Sequence, residues 1–441
     1  MQPWREASSL IIVTRASVRG SIASNSNILR SSVVENLSVN RTRSSQQQQQ
    51  QDTSYSSDST NNKDDLTYQQ PQAGDTMPQT PVLMAPPSSK QQASQFDYRL
   101  MMVKRSGLSS FLASAYVFPG GRVELADFSP RWWELFAKFN LTKQDLAVFS
   151  QSINGPRPPI VLETKIISES QLTRPEDALP ADIGLRISAL RETFEETGVL
   201  LLTRPGDDAD SYQPLSDRDN VNVDLSIWRD HVRKDASKFL DLCLATNLCP
   251  NLWSLYEWWN WLTPTSVGHK RCDTMFYVSF LEIEPKVVLD NEEVTTLKWC
   301  TPTGMLDEHS TADVFLAPPQ VYELSRLCNF NEFDSLRQFA AERQSLGVER
   351  WLPVISTYQD GAVALLPGDE FYPEQPDILG RKPVPDFPET LAEYGSRAKV
   401  INRLEIRGPV CHARANIKLP CGHLKPVSHE QLELAVLSPM T

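Results

Sequence analysis

Short runs of apolar, β-branched residues punctuate this chain at wide intervals, and each predicts a strand. Residues 7–14 (Ala-Ser-Ser-Leu-Ile-Ile-Val-Thr) and 98–104 (Tyr-Arg-Leu-Met-Met-Val-Lys) are two such runs, with further strand signals at 116–118, 274–281 and 295–299. Apolar positions at helical spacing recur over 130–139, 183–197, 227–245, 319–328 and 334–343. Strands and helices are mixed with no regular alternation, which predicts an α+β fold with a mixed sheet flanked by helices. From about residue 349 Pro and Gly become frequent and the apolar runs short, so 311–441 reads as a helical and irregular C-terminal extension.

Residues 16–95 break the pattern. They hold the run Gln46 to Gln51, many Ser and Asn, and only Tyr55 and Tyr68 as aromatics. Such a stretch cannot bury enough apolar surface to offset the entropy of ordering it, so disorder is expected. The first strand, in 1–15, would then be separated from the second by a long insertion. Loop closure tolerates this, because each doubling of length costs only about 0.6 kcal/mol.

Composition narrows the functional classes. The 441 residues carry 43 Lys and Arg against 55 Asp and Glu, a net charge of −12, and the first 95 residues are nearly neutral. An acidic body argues against the basic footprint of a nucleic-acid binder. No run approaches the roughly 20 apolar residues that span a bilayer, so no membrane segment is expected. Seven scattered cysteines suit reduced thiols in an intracellular compartment. Cys411, His412, Cys421 and His423 lack a Cys-x-x-Cys pair and straddle a predicted strand, so their proximity in sequence reads as coincidence, not a zinc site.

The candidate chemistry lies at 186–199. Ile183, Ile187, Leu190 and Phe194 make one apolar face, Asp182 can cap the N-terminus, and Gly198 fits the left-handed C-terminal position. Glu192, Glu195 and Glu196 then crowd the last turns at i, i+3 and i+4, near the negative end of the helix dipole. Alone, three such glutamates read as a solvated acidic face; a divalent cation would turn their repulsion into attraction. Upstream, the strand at 116–118 runs into Pro119-Gly120-Gly121, where glycines permit close backbone approach.

Together these segments resemble the Nudix hydrolases, whose signature is Gly-x5-Glu-x7-Arg-Glu-U-x-Glu-Glu-x-Gly-U with U apolar. Gly121 matches the opening glycine, and Arg191, Glu192, Glu195, Glu196, Gly198 and Val199 match the closing half. Asp127 stands where the family has Glu, Thr193 stands at an apolar position, and 63 residues separate Asp127 from Arg191 instead of seven. The longer loop adds roughly 2 kcal/mol of closure entropy. A split box of this kind is similar to that of the coenzyme A diphosphatase branch. The Trp-Arg-Glu-Ala-Ser-Ser start at Trp4 and the segments 261–264, 271–276, 316–320 and 366–370 match that branch as well.

The resemblance implies a Nudix-type α/β/α sandwich over 96–310, with 128–180 inserted in the box. It also implies hydrolysis of a nucleoside diphosphate derivative, coenzyme A or acyl-coenzyme A, with Mg²⁺ or Mn²⁺. Metal ligands would be Glu192, Glu195 and Glu196, with Glu192, Glu196 and Arg191 as catalytic residues and Arg191 orienting the glutamates. Gly120, Gly121, Arg105, Arg271 and Asp273 would bind substrate, although Arg271 and Asp273 could instead pair with each other. Glu292 and Glu293 are candidates for a loop glutamate that takes the proton. Of the branch's coenzyme A motif, Arg105-Ser106 is kept, while Ser110 and Ser114 replace an arginine and a glycine. NADH, ADP-ribose or a capped nucleotide stay open as substrates, as does a non-catalytic nucleotide-binding module. The branch's peroxisomal address is not matched by a chain ending Ser-Pro-Met-Thr.

Overall fold

The computed structural model describes residues 4–16, 95–109, 112–168, 177–205, 223–267, 270–289 and 293–432. The bulk of the expected insertion, together with Ser110, Glu292 and the C-terminal four residues, lies outside them.

β1 (Trp4–Arg15) is the axis of the main sheet, and its apolar run Leu10 to Val13 is buried on both faces as its composition requires. β2 (Tyr98–Arg105), β3 (Tyr116–Val117) and β4 (Gly120–Arg122) follow. β1 divides one of its edges between two partners. Its end pairs antiparallel with β2 through Val13–Leu100, and its start pairs antiparallel with β4 through Ser8–Gly121. β5 (Leu202–Thr203) and β6 (Cys249–Pro250) form a separate small ladder. β7 (Tyr256–Leu262), β8 (Arg271–Leu281), β9 (Val294–Cys300) and β10 (Arg350–Trp351) complete the main sheet. It runs β10-β7-β8-β1-β2-β3, with β4 added to β1 and β9 to β2. β8 lies parallel to β1 and β2 antiparallel, so the sheet is mixed, as the lack of alternation predicted.

The segment inside the split box folds as short helices: α1 (Trp132–Lys138), α2 (Lys143–Leu146), α3 (Val148–Gln151), α4 (Pro159–Leu162) and α5 (Lys165–Ser168). Its aromatics serve packing, with Trp132 and Phe136 buried and Trp132 edge-on to Phe239. α6 (Ala181–Thr197) follows and lies against β1 and β4, its Ile183, Ile187, Leu190 and Phe194 fully enclosed. Burial of each such side chain is worth about 1.5–3 kcal/mol, which anchors the helix before any chemistry is considered. Asp182 does not cap α6; Pro180 holds the cap position, and Asp182 sits inside the first turn beside Arg157 at 3.6 Å.

The apolar pattern over 227–245 resolves into two helices, α7 (Leu225–Lys234) and α8 (Lys238–Thr246). Asp235 breaks the run in an extended conformation. The C-terminal part contains more strand than its composition suggested. After α9 (Pro302–Ser310), α10 (Pro318–Leu327) and α11 (Phe333–Arg343) comes a four-stranded antiparallel sheet of β11 (Val354–Tyr358), β12 (Gly361–Leu365), β13 (Asn402–Arg407) and β14 (Val410–Ala415). α12 (Leu391–Arg397) packs on it. These strands are five or six residues long and partly exposed, so each is too short to stand out as a periodic signal.

All seven cysteines are free, and burial pushes the Cys300 and Cys411 thiols up to about 12. His309 Nε2 accepts the Cys411 N–H, and His423 Nδ1 accepts the Leu424 N–H. Among the described residues no helix is long and apolar enough to cross a membrane.

Candidate active site

The two halves of the split box meet at Arg191. Its guanidinium is buried and grips Asp127 with two parallel bonds, Nε to Oδ1 at 2.7 Å and Nη2 to Oδ2 at 2.9 Å. Its Nη1 donates to Glu192 at 2.9 Å and to Glu195 at 2.6 Å, and Nη2 also donates to the Arg122 carbonyl at 3.0 Å. Asp127 is fixed from its own side, since its Oδ2 accepts the Glu124 N–H at 2.8 Å across a single 3₁₀ turn, Leu125–Phe128. A planar fork suits this task because it can serve several carboxylates at once while held rigid.

The glycine turn completes the enclosure. Gly120 has φ +148°, and a Cβ there would lie 2.3 Å from the Ser8 carbonyl oxygen, so only glycine fits between β4 and β1. A Cβ on Gly121 would lie 2.3 Å from Glu192 Oε2, which means the missing side chain leaves the space that the carboxylate uses. Glu196 reaches back to accept the Gly120 N–H at 2.9 Å. Gly198 ends α6 at φ 74°, and Arg229 donates to the Glu195 carbonyl at 2.8 Å, satisfying the negative end of the helix.

This arrangement loads charge into a dry place. Burial lifts the Glu192 carboxyl to about 7, against the pull of Arg191. Burial raises Glu195 as well, again opposed by Arg191. Glu196 is held well above the usual carboxylate range, first by burial and then by Glu192, and its only hydrogen bond among the described residues comes from Gly120. Arg105 opposes that rise, and Glu293, whose carbonyl accepts the Ser106 N–H at 2.8 Å, adds to it.

Among the described residues no three His, Cys, Asp or Glu side chains already form a closed metal cage. A closed cage is not what Mg²⁺ needs, since it takes one or two carboxylates and fills its other positions with water and phosphate oxygens. The hard oxygen donors of Glu192, Glu195 and Glu196, short of positive charge and backed by a turn without Cβ atoms, suit such an ion.

Other expected residues are placed differently. Arg271 is buried and donates to the carbonyls of Thr263 and Ile378, at 2.8 and 2.7 Å. Asp273 is buried too and accepts from Asn260 at 2.8 Å and Arg350 at 3.1 Å. Neither hydrogen-bonds the other; their bonds tie β8 to β7 and to the C-terminal part. Arg122 and Arg229 were not expected from sequence. Arg122 could have been suspected from its place beside Gly121, whereas nothing local to Arg229 signals that it would cap a helix 34 positions away.

Two family models match the chain. The NUDT19 Nudix domain matches residues 76–327, and the NUDT19 C-terminal domain matches residues 355–415. Three proteins named acyl-coenzyme A diphosphatase NUDT19 are similar over most of their length. The Xenopus laevis protein is 35% identical over 345 residues, covering 77% of this chain and 89% of its own. That of Gallus gallus is 37% identical, covering 75% and 88%, and that of Homo sapiens 37%, covering 70% and 80%. A mixed sheet carrying a glutamate helix closed onto a Gly-Gly strand is thus the frame of a Nudix hydrolase. Within that class, the chain belongs to the NUDT19 family.

Proposed function

We propose that this protein hydrolyses the diphosphate of coenzyme A or an acyl-coenzyme A, releasing an adenosine bisphosphate and the corresponding phosphopantetheine. The observation that carries the reading is the bidentate Arg191–Asp127 pair, which joins the two halves of one box across 63 residues. The names of the relatives supply the substrate class.

Water adds its oxygen to one phosphorus while the bond from that phosphorus to the bridging oxygen breaks, and the proton reaches the leaving phosphate by way of a carboxylate. A bound Mg²⁺ or Mn²⁺ supplies charge neutralisation at the phosphate oxygens and a lower pKa for the attacking water. Glu192, Glu195 and Glu196 would hold it. Arg191 orients Glu192 and Glu195 without touching substrate, Gly120 and Gly121 leave the room in which Glu196 and Glu192 close on β4, and Arg105 adds positive charge beside Glu196. Glu293, which acts on both Glu195 and Glu196, is our choice for the carboxylate that takes the proton.

Turnover of coenzyme A, acyl-coenzyme A, NADH, ADP-ribose and capped dinucleotides with Mg²⁺ and Mn²⁺, products resolved by mass, tests this. Coenzyme A derivatives should be cleaved fastest. A tenfold preference for NADH or ADP-ribose would replace the substrate, and binding without cleavage of any would leave a nucleotide-binding module.

A further inference from the structure

Side chains alternate between the two faces of a strand, and on β1 the hydrogen bonds say which face is which. Ser8 Oγ meets Ser188 Oγ on α6 at 3.0 Å, and Glu6 accepts the Lys165 N–H on α5 at 2.8 Å, so the even positions face these helices. Arg5, Ala7 and Ser9 lie on the opposite face. The parallel register with β8 sets Arg5 beside Cys272 and Ala7 beside Thr274, and the antiparallel register with β4 sets Arg122 beside Ala7. Two arginines from adjacent strands therefore rise from one face, on a diagonal of about 7–8 Å, over a floor of Ala7, Cys272 and Thr274.

Both are exposed, and neither has an ion pair or a side-chain hydrogen bond among the described residues. That is unexpected in a chain of net charge −12, where acids outnumber bases, and like charges so placed weaken a sheet. The Cys272 thiol, raised by burial, is pulled back by Arg122, Arg5 and Arg105, so each of the three lies near enough to act on it. The glutamates stand across β4, on its α6 side: Gly121, next to Arg122, abuts Glu192, the Arg122 carbonyl is bonded by Arg191, and Arg105 acts on Glu196 as well as on Cys272.

We infer that Arg5 and Arg122, with Arg105 behind them, form a second phosphate site that holds a phosphomonoester on the ribose of the nucleotide half of the substrate. This deepens the reading of coenzyme A as substrate and rests on it, since coenzyme A carries such a group in addition to its diphosphate. A phosphomonoester brings close to two negative charges and three acceptor oxygens, which guanidinium forks match with paired hydrogen bonds. The clamp would select nucleotides phosphorylated on the ribose over those that are not, and would offset the repulsion that an acidic protein presents to a polyanion.

Calorimetry on the full chain with Mg²⁺ tests this apart from turnover, using adenosine 3′,5′-bisphosphate and AMP as probes. The wild type should prefer the bisphosphate by tenfold or more, and Arg5→Gln and Arg122→Gln should each bring that ratio down several-fold, the pair bringing it near one. Both side chains are exposed, so unchanged circular dichroism is expected and checks the fold. A wild type with no preference, or variants that keep the full preference, overturns the clamp. Coenzyme A hydrolysis without the preference would leave the proposed function standing and the clamp refuted; the preference without hydrolysis would do the reverse.

Discussion

Arg191 and Asp127 form a buried two-bond ion pair between a helix and a 3₁₀ turn that the chain separates by 63 residues. The pair closes the long excursion through α1–α5 and aims the rest of the guanidinium at Glu192 and Glu195. Removing one partner of such a pair leaves the other charge buried and poorly compensated, at a cost of about 3–5 kcal/mol when nothing else serves it. Because Glu192 and Glu195 still serve Arg191, Asp127→Asn should cost less, about 2–3 kcal/mol. Denaturant unfolding in EDTA should show this loss, and a neutral result would mean that the glutamates alone hold Arg191.

Gly121→Ala separates positioning from folding. The new methyl would meet the far end of the Glu192 side chain, which can swing aside, and Gly121 does not need a left-handed backbone. Thermal stability should therefore change by less than about 1 kcal/mol, while a displaced carboxylate should lower kcat by about 10²-fold. Wild-type turnover in this variant would show that Glu192 does not need its present position.

Glu196→Gln should divide stability from activity in the opposite sense. Burial and Glu192 raise the Glu196 carboxyl well above the usual carboxylate range, which disfavours its charged form in the metal-free protein, so an amide there should leave Tm equal or raised. Added Mg²⁺ or Mn²⁺ should raise Tm of the wild type, by about 2.7 kcal/mol of stability at a hundred times Kd, and do little for the variant. Turnover should fall by a factor on the order of 10³. Equal metal-induced shifts in both proteins would remove Glu196 from the metal site.

The pH dependence has a definite sign. Burial raises Glu192 to about 7 in the folded chain, so the folded state keeps a proton that the unfolded chain releases near its ordinary value. This contribution to stability is fully present below about pH 4.5 and is lost as pH rises through about 7. In EDTA, the Tm difference between Glu192→Gln and wild type should grow in the variant's favour across that window. A constant difference would mean that the carboxyl titrates alike in both states.

A buried histidine supplies the reverse slope elsewhere. His423 lies edge-on to Trp258 at 4.6 Å, and burial, with Arg326 and Arg343 adding, holds it well below its ordinary value. A depressed histidine leaves stability intact above about pH 6.5 and loses it as pH falls through that value, where the unfolded chain gains the proton first. His423→Phe should therefore flatten the acid side of the Tm profile, and an unchanged profile would show another group responsible.

Local pattern determined a good deal of this protein. The β-branched run of β1, the apolar face of α6 and the left-handed Gly198 follow from residues a few positions apart, because propensity and periodicity act at that range. Spacing along α6 likewise placed Glu192, Glu195 and Glu196 on one turn, and Gly120–Gly121 at a strand end. Contacts between distant segments decided the rest. That Asp127 returns to Arg191, that Arg229 caps α6, and that Arg271 and Asp273 bond to neighbouring strands and loops depends on the register of β1 with β8 and on the helices stacked above it. The same holds for the C-terminal sheet, whose short strands gain their order from one another and from the helices packed on them. Hydrogen bonds and ion pairs between remote residues are fixed by which surfaces become buried together, and burial is a property of the whole fold that no short window of sequence contains.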